Sequence, residues 1–209
     1  LLIKELKPAD QMRVYGFDNT YRGLTPMTSD LSLIQQNLAA VQIDTVGSPG
    51  TALLRSVDLT IQQLEPYFGR KIIVLCSDGQ NTIAGPQPET LIENLKKRDI
   101  TVISLATVTK QELQAVDSGV NMRYVVPTEV KEAHKLMKNL AEETGGAAFF
   151  PKNVSALSET IEKIRSLIRS QYAIAYKPQN ETNNGWRKIE VKCKRSGVKL
   201  NYRKGYFFQ

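Results

Sequence analysis

Two continuously apolar segments constrain the fold of this chain more than any other feature. They run from Ile72 to Cys76 and from Ile100 to Leu105, and a helical pattern separates them. A strand that is apolar at every position is typical of a parallel sheet whose two faces are covered by helices. We therefore predict an α/β fold with a doubly wound, mostly parallel sheet and helices on both faces.

Helical periodicity fills the segments between the predicted strands. A cap cluster at residues 28–30 opens one helix, and a Gly/Pro-rich loop ending at Gly50 opens the next. The apolar stripe expected for this second helix comprises Leu53, Leu54, Val57, Ile61 and Leu64. Gly145 or Gly146 should end a later helix, because glycine tolerates the left-handed backbone that often follows a helix.

The composition is that of an ordinary globular protein, with 209 residues, 41% hydrophobic and 23% charged. No run approaches the roughly 18 apolar residues that a membrane-spanning helix needs, so we expect no transmembrane segment. We predict an α/β domain over residues 1–170 and a C-terminal β extension over residues 171–209 that packs on the same domain.

Polar residues follow the first apolar strand at the edge where doubly wound sheets bind their ligands. Ser77 and Asp78 come first, and Gly79 and Asn81 permit a tight turn. Mg²⁺ and Mn²⁺ prefer hard oxygen ligands such as the Asp78 carboxylate, and the Thr51 hydroxyl at a helix start could be a second ligand. Each residue also has a purely structural explanation, as a turn aspartate and a helix-capping threonine.

The segments GSPGTALLRSVDLTIQQL and RKIIVLCSDGQNT resemble the von Willebrand factor type A (VWA) domain, in which a GGTxL-like loop and a helix precede a buried strand ending in SDG. The preceding LKPADQMRVYGFD is similar to the helix end and strand found before that loop in the family. The segments LAEETGGAAFFP, RSQYAIAYKP and WRKIEVKCKRSGVKLNYRKGYF resemble a bacterial, acidobacterial-type branch with a C-terminal hairpin ending in R-K-G-Y. The resemblance covers nearly the whole chain.

The resemblance implies a metal-ion-dependent adhesion site for Mg²⁺ or Mn²⁺. Thr51 matches the family's threonine ligand, and Asp78 matches its aspartate ligand. The residues expected to shape the rim are Gly50, Ser77, Gly79 and Asn81. The family's D-x-S-x-S motif has no match here, since the nearest segment, DLSLI at residues 30–34, reads as a helix start with Ile34 at the second serine position.

The strand that carries D-x-S-x-S is central in the family's sheet. We expect it either to lie upstream of Leu1 or to be replaced by another chain. A sheet without that strand would expose an apolar slot, which is unfavourable by about 25 cal/mol per Å² of uncovered apolar surface.

The same resemblance implies a non-enzymatic, adhesion-type module whose metal takes a carboxylate from a partner protein as its last ligand. It also favours an extracytoplasmic location in a bacterium, although the first residues show no secretory signal. Catalytic signatures are missing from the sequence, because His134 is the only histidine and Ser77 lacks a G-x-S-x-G elbow. We therefore predict that the protein is not an enzyme.

The C-terminal segment alternates apolar and basic residues around a Ser196-Gly197 turn, which predicts an antiparallel hairpin with one basic, solvated face. The basic face should comprise Lys188, Lys192, Lys194, Lys199 and Arg203. It could guard a sheet edge, or bind an acidic partner, a glycan or a membrane surface. The absence of interleaved aromatic residues disfavours nucleic acid. A metal-free scaffold that binds acidic partners through this hairpin is therefore the alternative function.

The two cysteines do not follow a metal-binding or C-x-x-C spacing. We expect Cys76 to point into the core and Cys193 to lie in a late strand as a separate thiol. A disulfide would require the two positions to be neighbours, which the sequence leaves open.

Overall fold

The computed structural model of the protein describes residues 7–40, 50–107, 127–151, 153–169, 174, 185–198 and 200–208. The predicted basic-face residue Lys199 and the first six residues lie outside this set. The strands are β1 (Tyr15–Phe17), β2 (Tyr21–Gly23), β3 (Lys71–Ser77), β4 (Ile100–Ala106), β5 (Ala148–Phe149), β6 (Gly185–Lys188) and β7 (Gly205–Phe208). The helices are α1 (Leu31–Ala39), α2 (Leu53–Leu64), α3 (Pro88–Lys97), α4 (Pro127–Glu143) and α5 (Leu157–Arg169), with a 3₁₀ turn at Val154–Ala156.

Three parallel strands form the central sheet in the order β3-β4-β5. β3 pairs with β4 along its whole length, from Lys71 opposite Ile100 to Ser77 opposite Ala106, and β5 pairs with the carboxyl half of β4. The two apolar segments of the sequence are therefore neighbouring parallel strands. The predicted α/β fold is confirmed.

Helices cover both faces of this sheet. Helices α2, α3 and α4 pack on one face, where Ile73 and Leu75 of β3 and Val102 of β4 contribute to the larger core cluster. On the other face, Ile164 of α5 packs with Ile103 and Leu105 of β4. The predicted apolar stripe of α2 is confirmed, because its first four members are buried and the last is half-buried.

Local capping signals at two helices act as predicted. Asp30 is the N-cap of α1, and its carboxylate accepts hydrogen bonds from the N–H groups of Ser32 (2.9 Å) and Leu33 (3.1 Å). Gly145 follows α4 with φ +82°, the left-handed conformation expected after a helix. Within the described residues, no helix has the length and apolar character needed to cross a membrane.

The structure adds a short hairpin that the sequence pattern did not indicate. β2 pairs antiparallel with β1, with Tyr15 opposite Gly23, and the Tyr15 and Tyr21 rings stack 4.7 Å apart. A three-residue strand is too short to show an alternating pattern, so only the pairing reveals it.

The C-terminal hairpin has the predicted turn but a different ladder. Gly185 pairs with Phe208 and Lys188 with Gly205, a register centred on Ser196-Gly197. Among the described residues, regular strand pairing covers only the base of the hairpin, so the predicted strands through the alternating residues near the turn were wrong. One further backbone hydrogen bond joins the Ile189 N–H to the Lys204 carbonyl at 2.9 Å. The base is anchored by the cross-strand Trp186–Phe207 contact, whose ring centroids are 4.9 Å apart. Val198 and Leu200 stay 45% and 36% exposed near the turn.

The expectation that Cys76 points into the core is also wrong. Side chains alternate along β3, so Ile73 and Leu75 are buried beneath α2 and α3 while Cys76 faces the opposite side and is exposed. Residues of α5 cover Ile72 on that side, but this cover does not extend to Cys76. Within the described residues, the second edge of β3 has no partner strand. Cys193 is exposed as well, and both thiols are free.

Candidate metal-binding edge of the sheet

The carboxyl edge of the sheet brings the predicted ligands onto neighbouring loops. Asp78 directly follows the last residue of β3, so its predicted location at this edge is confirmed. The adjacent strand β4 ends at the same level, and the Thr107 N–H donates a hydrogen bond to the Ser77 carbonyl at 2.9 Å.

Asp78 is held by a compact turn. The Ser77 hydroxyl accepts a hydrogen bond from the Gly79 N–H (3.0 Å) and donates to Oδ1 of Asp78 (3.4 Å). The Gln80 N–H donates to the same Oδ1 at 3.0 Å. No described residue forms a hydrogen bond with Oδ2, the second carboxylate oxygen of this half-buried side chain.

Gly79 allows this turn to lie directly on α4. Its φ of +84° is a conformation that residues with a Cβ rarely adopt, and a Cβ at this position would lie only 2.7 Å from the carbonyl oxygen of Ala133. The Met137 sulfur would be 2.9 Å away. The position of Asp78 is therefore fixed by close contact between its turn and the helix.

Backbone hydrogen bonds join the Thr51 loop to the turn that carries Asp78. The Thr51 N–H donates to the Thr82 hydroxyl at 2.7 Å, and the Thr51 carbonyl accepts from the N–H groups of Thr82 (2.9 Å) and Ile83 (3.1 Å). Gly50, with φ +136°, packs so closely on Ile83 that a Cβ would lie 2.7 Å from that side chain. These contacts hold Gly50 and Thr51 beside the loop that follows Asp78.

Asn81, rather than Thr51, provides the side-chain hydrogen-bond acceptor for the N–H groups at the start of α2. The Asn81 side-chain oxygen accepts from the Leu54 N–H at 3.0 Å, and its amide nitrogen donates to the Ile83 carbonyl at 3.0 Å. The N-cap residue Ala52 has no side-chain acceptor. The Thr51 hydroxyl forms no hydrogen bond with any described residue, so the helix-capping explanation of this threonine is excluded.

Two residues that sequence reasoning did not assign to the site lie beside it. The Ala52 N–H donates to the Asp18 carbonyl at 2.7 Å, which places the end of β1 against the Thr51 loop. The Asp18 carboxylate is turned toward Thr20 and Arg22, whose hydrogen bonds and charge lower its pKa. No sequence signal marked Asp18, because its proximity depends on how β1 packs against the start of α2.

His134 is the second such residue. Its imidazole packs on Phe150 with ring centroids 4.5 Å apart, and its buried Nε2 has no hydrogen-bond partner among the described residues. Desolvation lowers the pKa of His134, and the nearby negative charge of Asp78 opposes this shift. The sequence shows only a histidine on a lysine-rich helix.

The oxygen donors at this edge fit Mg²⁺ or Mn²⁺ in type. A carboxylate oxygen and a hydroxyl, both without partners among the described residues, are hard ligands, and Mg²⁺ commonly binds through one or two carboxylates while keeping several waters. Across the described ranges, no group of three or more His, Cys, Asp or Glu side chains could hold a metal ion. Thr51 and Asp78 are therefore the two candidate ligands among the described residues, fewer than the roughly six oxygens that such an ion takes.

The described residues around this edge do not form a nucleophile–base pair. The Ser77 hydroxyl contacts Asp78 and the Gly79 N–H. Cys76 is exposed as a residue, yet protein atoms around its thiol desolvate it and raise its pKa, which disfavours the thiolate.

Similar solved structures show the fold. The conserved hypothetical protein BatB from Bacteroides thetaiotaomicron is 21% identical, with a TM-score of 0.55 over 81% of this chain and 84% of that chain. An aerotolerance-related membrane protein from Bacteroides fragilis is 18% identical, with a TM-score of 0.57 over 79% and 83%. Proximal thread matrix protein 1 from the mussel byssus is 16% identical, with a TM-score of 0.53 over 80% of this chain but 40% of its own length.

These likenesses agree with a VWA-like α/β fold and, at such low identity, concern the fold alone. No family model matches the chain, and no curated protein matches it.

Proposed function

We propose that the protein is a VWA-type binding module that holds Mg²⁺ or Mn²⁺ through Thr51 and Asp78. The observation that supports this proposal is the hydrogen-bonded pair of loops at the carboxyl edge. These loops carry a hydroxyl and a carboxylate oxygen that both lack hydrogen-bond partners among the described residues. The metal would supply a Lewis-acidic coordination position for a carboxylate oxygen of a partner protein.

The residues of the chain have separate tasks in this proposal. Ser77 and the Gln80 N–H hold one oxygen of Asp78, which restricts the position of its carboxylate. Thr82 and Asn81 fix the Thr51 loop and the start of α2. The bacterial type of the resemblance leads us to propose an extracytoplasmic location and a protein ligand that presents a carboxylate. A non-enzymatic role is part of this proposal.

A thermal melt tests metal binding directly. The midpoint should rise when Mg²⁺ or Mn²⁺ replaces EDTA, because an ion that binds only the folded state contributes about 2.7 kcal/mol at a hundredfold excess over its dissociation constant. Asp78→Ala and Thr51→Val should abolish or reduce the rise. Asp58→Ala is the matched control, since the Asp58 carboxylate accepts a hydrogen bond from Gln62 on α2, away from both loops. No shift in the unmodified protein would refute the metal site.

The metal-free alternative makes a different prediction. If the basic hairpin binds an acidic partner, binding should weaken steeply with ionic strength and persist in EDTA. Binding through a metal-held carboxylate should be lost with EDTA and recover when Mg²⁺ or Mn²⁺ is restored. A partner pull-down under these two conditions separates the alternatives.

A further inference from the structure

The loop between α2 and β3 carries an aromatic side chain, Phe68, on the surface of the described structure. Phe68 is fully exposed, with 101% of its reference surface accessible. The next residue, Gly69, has φ +87° and open space where a Cβ would lie, so the loop projects away from the domain. A fully exposed phenylalanine is unfavourable in water, and it marks a binding surface only together with neighbouring exposed apolar or charged residues.

Phe68 lies at the amino edge of the sheet, opposite the candidate metal site. The three sheet strands are parallel, so the residues that precede them share one edge. Gly69 precedes β3, Asp99 precedes β4 and Gly145 precedes β5. We call the edge defined by these loops the amino edge.

The C-terminal hairpin packs on the same edge. The Arg203 guanidinium lies 2.6 Å from the Asp99 carboxylate, and a Cβ on Gly145 would lie 2.7 Å from the Arg203 backbone nitrogen. The Arg98 guanidinium contacts Glu65 at 2.7 Å, which ties the end of α3 to the end of α2, three residues before Phe68. The base of the Phe68 loop and Arg203 of the hairpin are therefore on the same side of the molecule.

This side combines uncompensated positive charge with exposed apolar side chains. Lys188, Lys194 and Arg195 are exposed and form no ion pair with any described residue. The neighbouring carboxylates are already paired, Glu65 with Arg98, Asp99 with Arg203, and Glu143 with Lys96. The exposed apolar residues on the hairpin are Val198 (45%), Leu200 (36%) and Trp186 (40%).

The arrangement fits a lipid surface better than a nucleic acid or a folded protein. Trp186 and Phe207 pack on each other, with the Lys96 and Lys97 ammonium groups over their rings, so these aromatics are not available for stacking on bases. Scattered cations with projecting apolar side chains match the interface of an anionic bilayer, which has diffuse negative charge and a deformable apolar interior.

We propose that the amino edge docks on an anionic membrane surface. Phe68, Val198 and Leu200 enter the headgroup–acyl boundary, and Lys188, Lys194 and Arg195 contact lipid phosphates. The carboxyl edge, with Thr51 and Asp78, then faces away from the membrane. This proposal does not depend on metal binding.

Co-sedimentation with vesicles in EDTA tests the proposal independently of the metal site. The protein should bind vesicles of phosphatidylcholine with phosphatidylglycerol, bind those of phosphatidylcholine alone far more weakly, and dissociate as salt rises. Phe68→Ser should weaken binding about tenfold or more, given the apolar surface that leaves water. Leu157→Ser is its control, because Leu157 is an exposed apolar residue at the start of α5, on the carboxyl-edge side.

Charge reversal gives a second matched pair. Lys194→Glu with Arg195→Glu should abolish binding, whereas Lys135→Glu with Lys138→Glu, the same change in net charge on the exposed face of α4, should leave most of it. Equal loss in both double variants would show non-specific attraction to the whole basic protein and overturn the proposal. Absence of binding to anionic vesicles would overturn it as well, and capture by polyglutamate without vesicle binding would assign the surface to an acidic protein instead.

Discussion

Gly79→Ala should destabilise the protein more than the same substitution at Gly69, although both glycines have nearly the same backbone conformation. Their φ angles are +84° and +87°. A Cβ at Gly69 meets no atom within 4 Å, whereas a Cβ at Gly79 lies 2.7 Å from the Ala133 carbonyl oxygen and 2.9 Å from the Met137 sulfur. The two variants therefore share the backbone strain, and only one of them adds a steric clash.

The magnitudes follow from these contacts. An alanine in the left-handed region is unfavourable by about 1–2 kcal/mol, which is the whole effect expected at Gly69. At Gly79 the Met137 side chain can move, but the Ala133 carbonyl belongs to a helix packed on the core, so relieving the overlap should add about 1–3 kcal/mol. The difference between the variants is thus about 1–3 kcal/mol, equivalent to about 2–12 °C in midpoint for a chain of this size.

Thermal and urea unfolding of both variants in EDTA provides the assay, because EDTA separates folding stability from metal binding. Gly79→Ala should also lose the midpoint rise with Mg²⁺, since relieving the overlap displaces Asp78. Equal destabilisation by the two substitutions would refute the argument that close packing of the turn on α4 positions Asp78.

Three further predictions concern the core, the start of α2 and the histidine. Thr144→Val should destabilise the protein by about 1–3 kcal/mol in urea unfolding. The buried Thr144 hydroxyl accepts a hydrogen bond from the Val102 N–H (2.9 Å), and a valine side chain has no acceptor to replace it. An unchanged urea midpoint would contradict this prediction. Asn81→Ala should lower the free energy of unfolding by about 1 kcal/mol through loss of the bond to the Leu54 N–H. Asn94→Ala, at a half-buried position of α3 whose side chain forms no hydrogen bond with a described residue, should change it little. The pKa of His134 should lie below its usual value in an NMR titration, and the signal can be assigned because the chain has one histidine. With a lowered folded-state pKa, the unfolded state binds more protons than the folded state. His134 should therefore contribute stability that is full above about pH 6.5 and is lost as pH falls toward the folded-state pKa. His134→Gln should remove that part of the pH dependence, and a pKa at or above the usual value would refute the desolvation argument.

The sequence by itself determined the features that depend on short-range patterns. Continuous apolar character marked β3 and β4 as sheet strands, Asp30 marked the start of α1, and Ser196-Gly197 marked the centre of the C-terminal hairpin. Asp78 could be placed at the carboxyl edge because the residue after a parallel strand must lie there. Each of these inferences uses the geometry of a few consecutive residues.

Tertiary structure decided how those elements are covered and which loops meet. Cys76 belongs to the same apolar segment as Leu75, yet it is exposed because α5 covers only part of its face of the sheet. Asn81, rather than Thr51, accepts a hydrogen bond from an N–H group at the start of α2, because hydrogen bonds join two loops that are distant in sequence. Contacts of this kind depend on packing between elements, which local periodicity does not encode. They leave the Thr51 hydroxyl available at one edge, and Phe68 is fully exposed at the other.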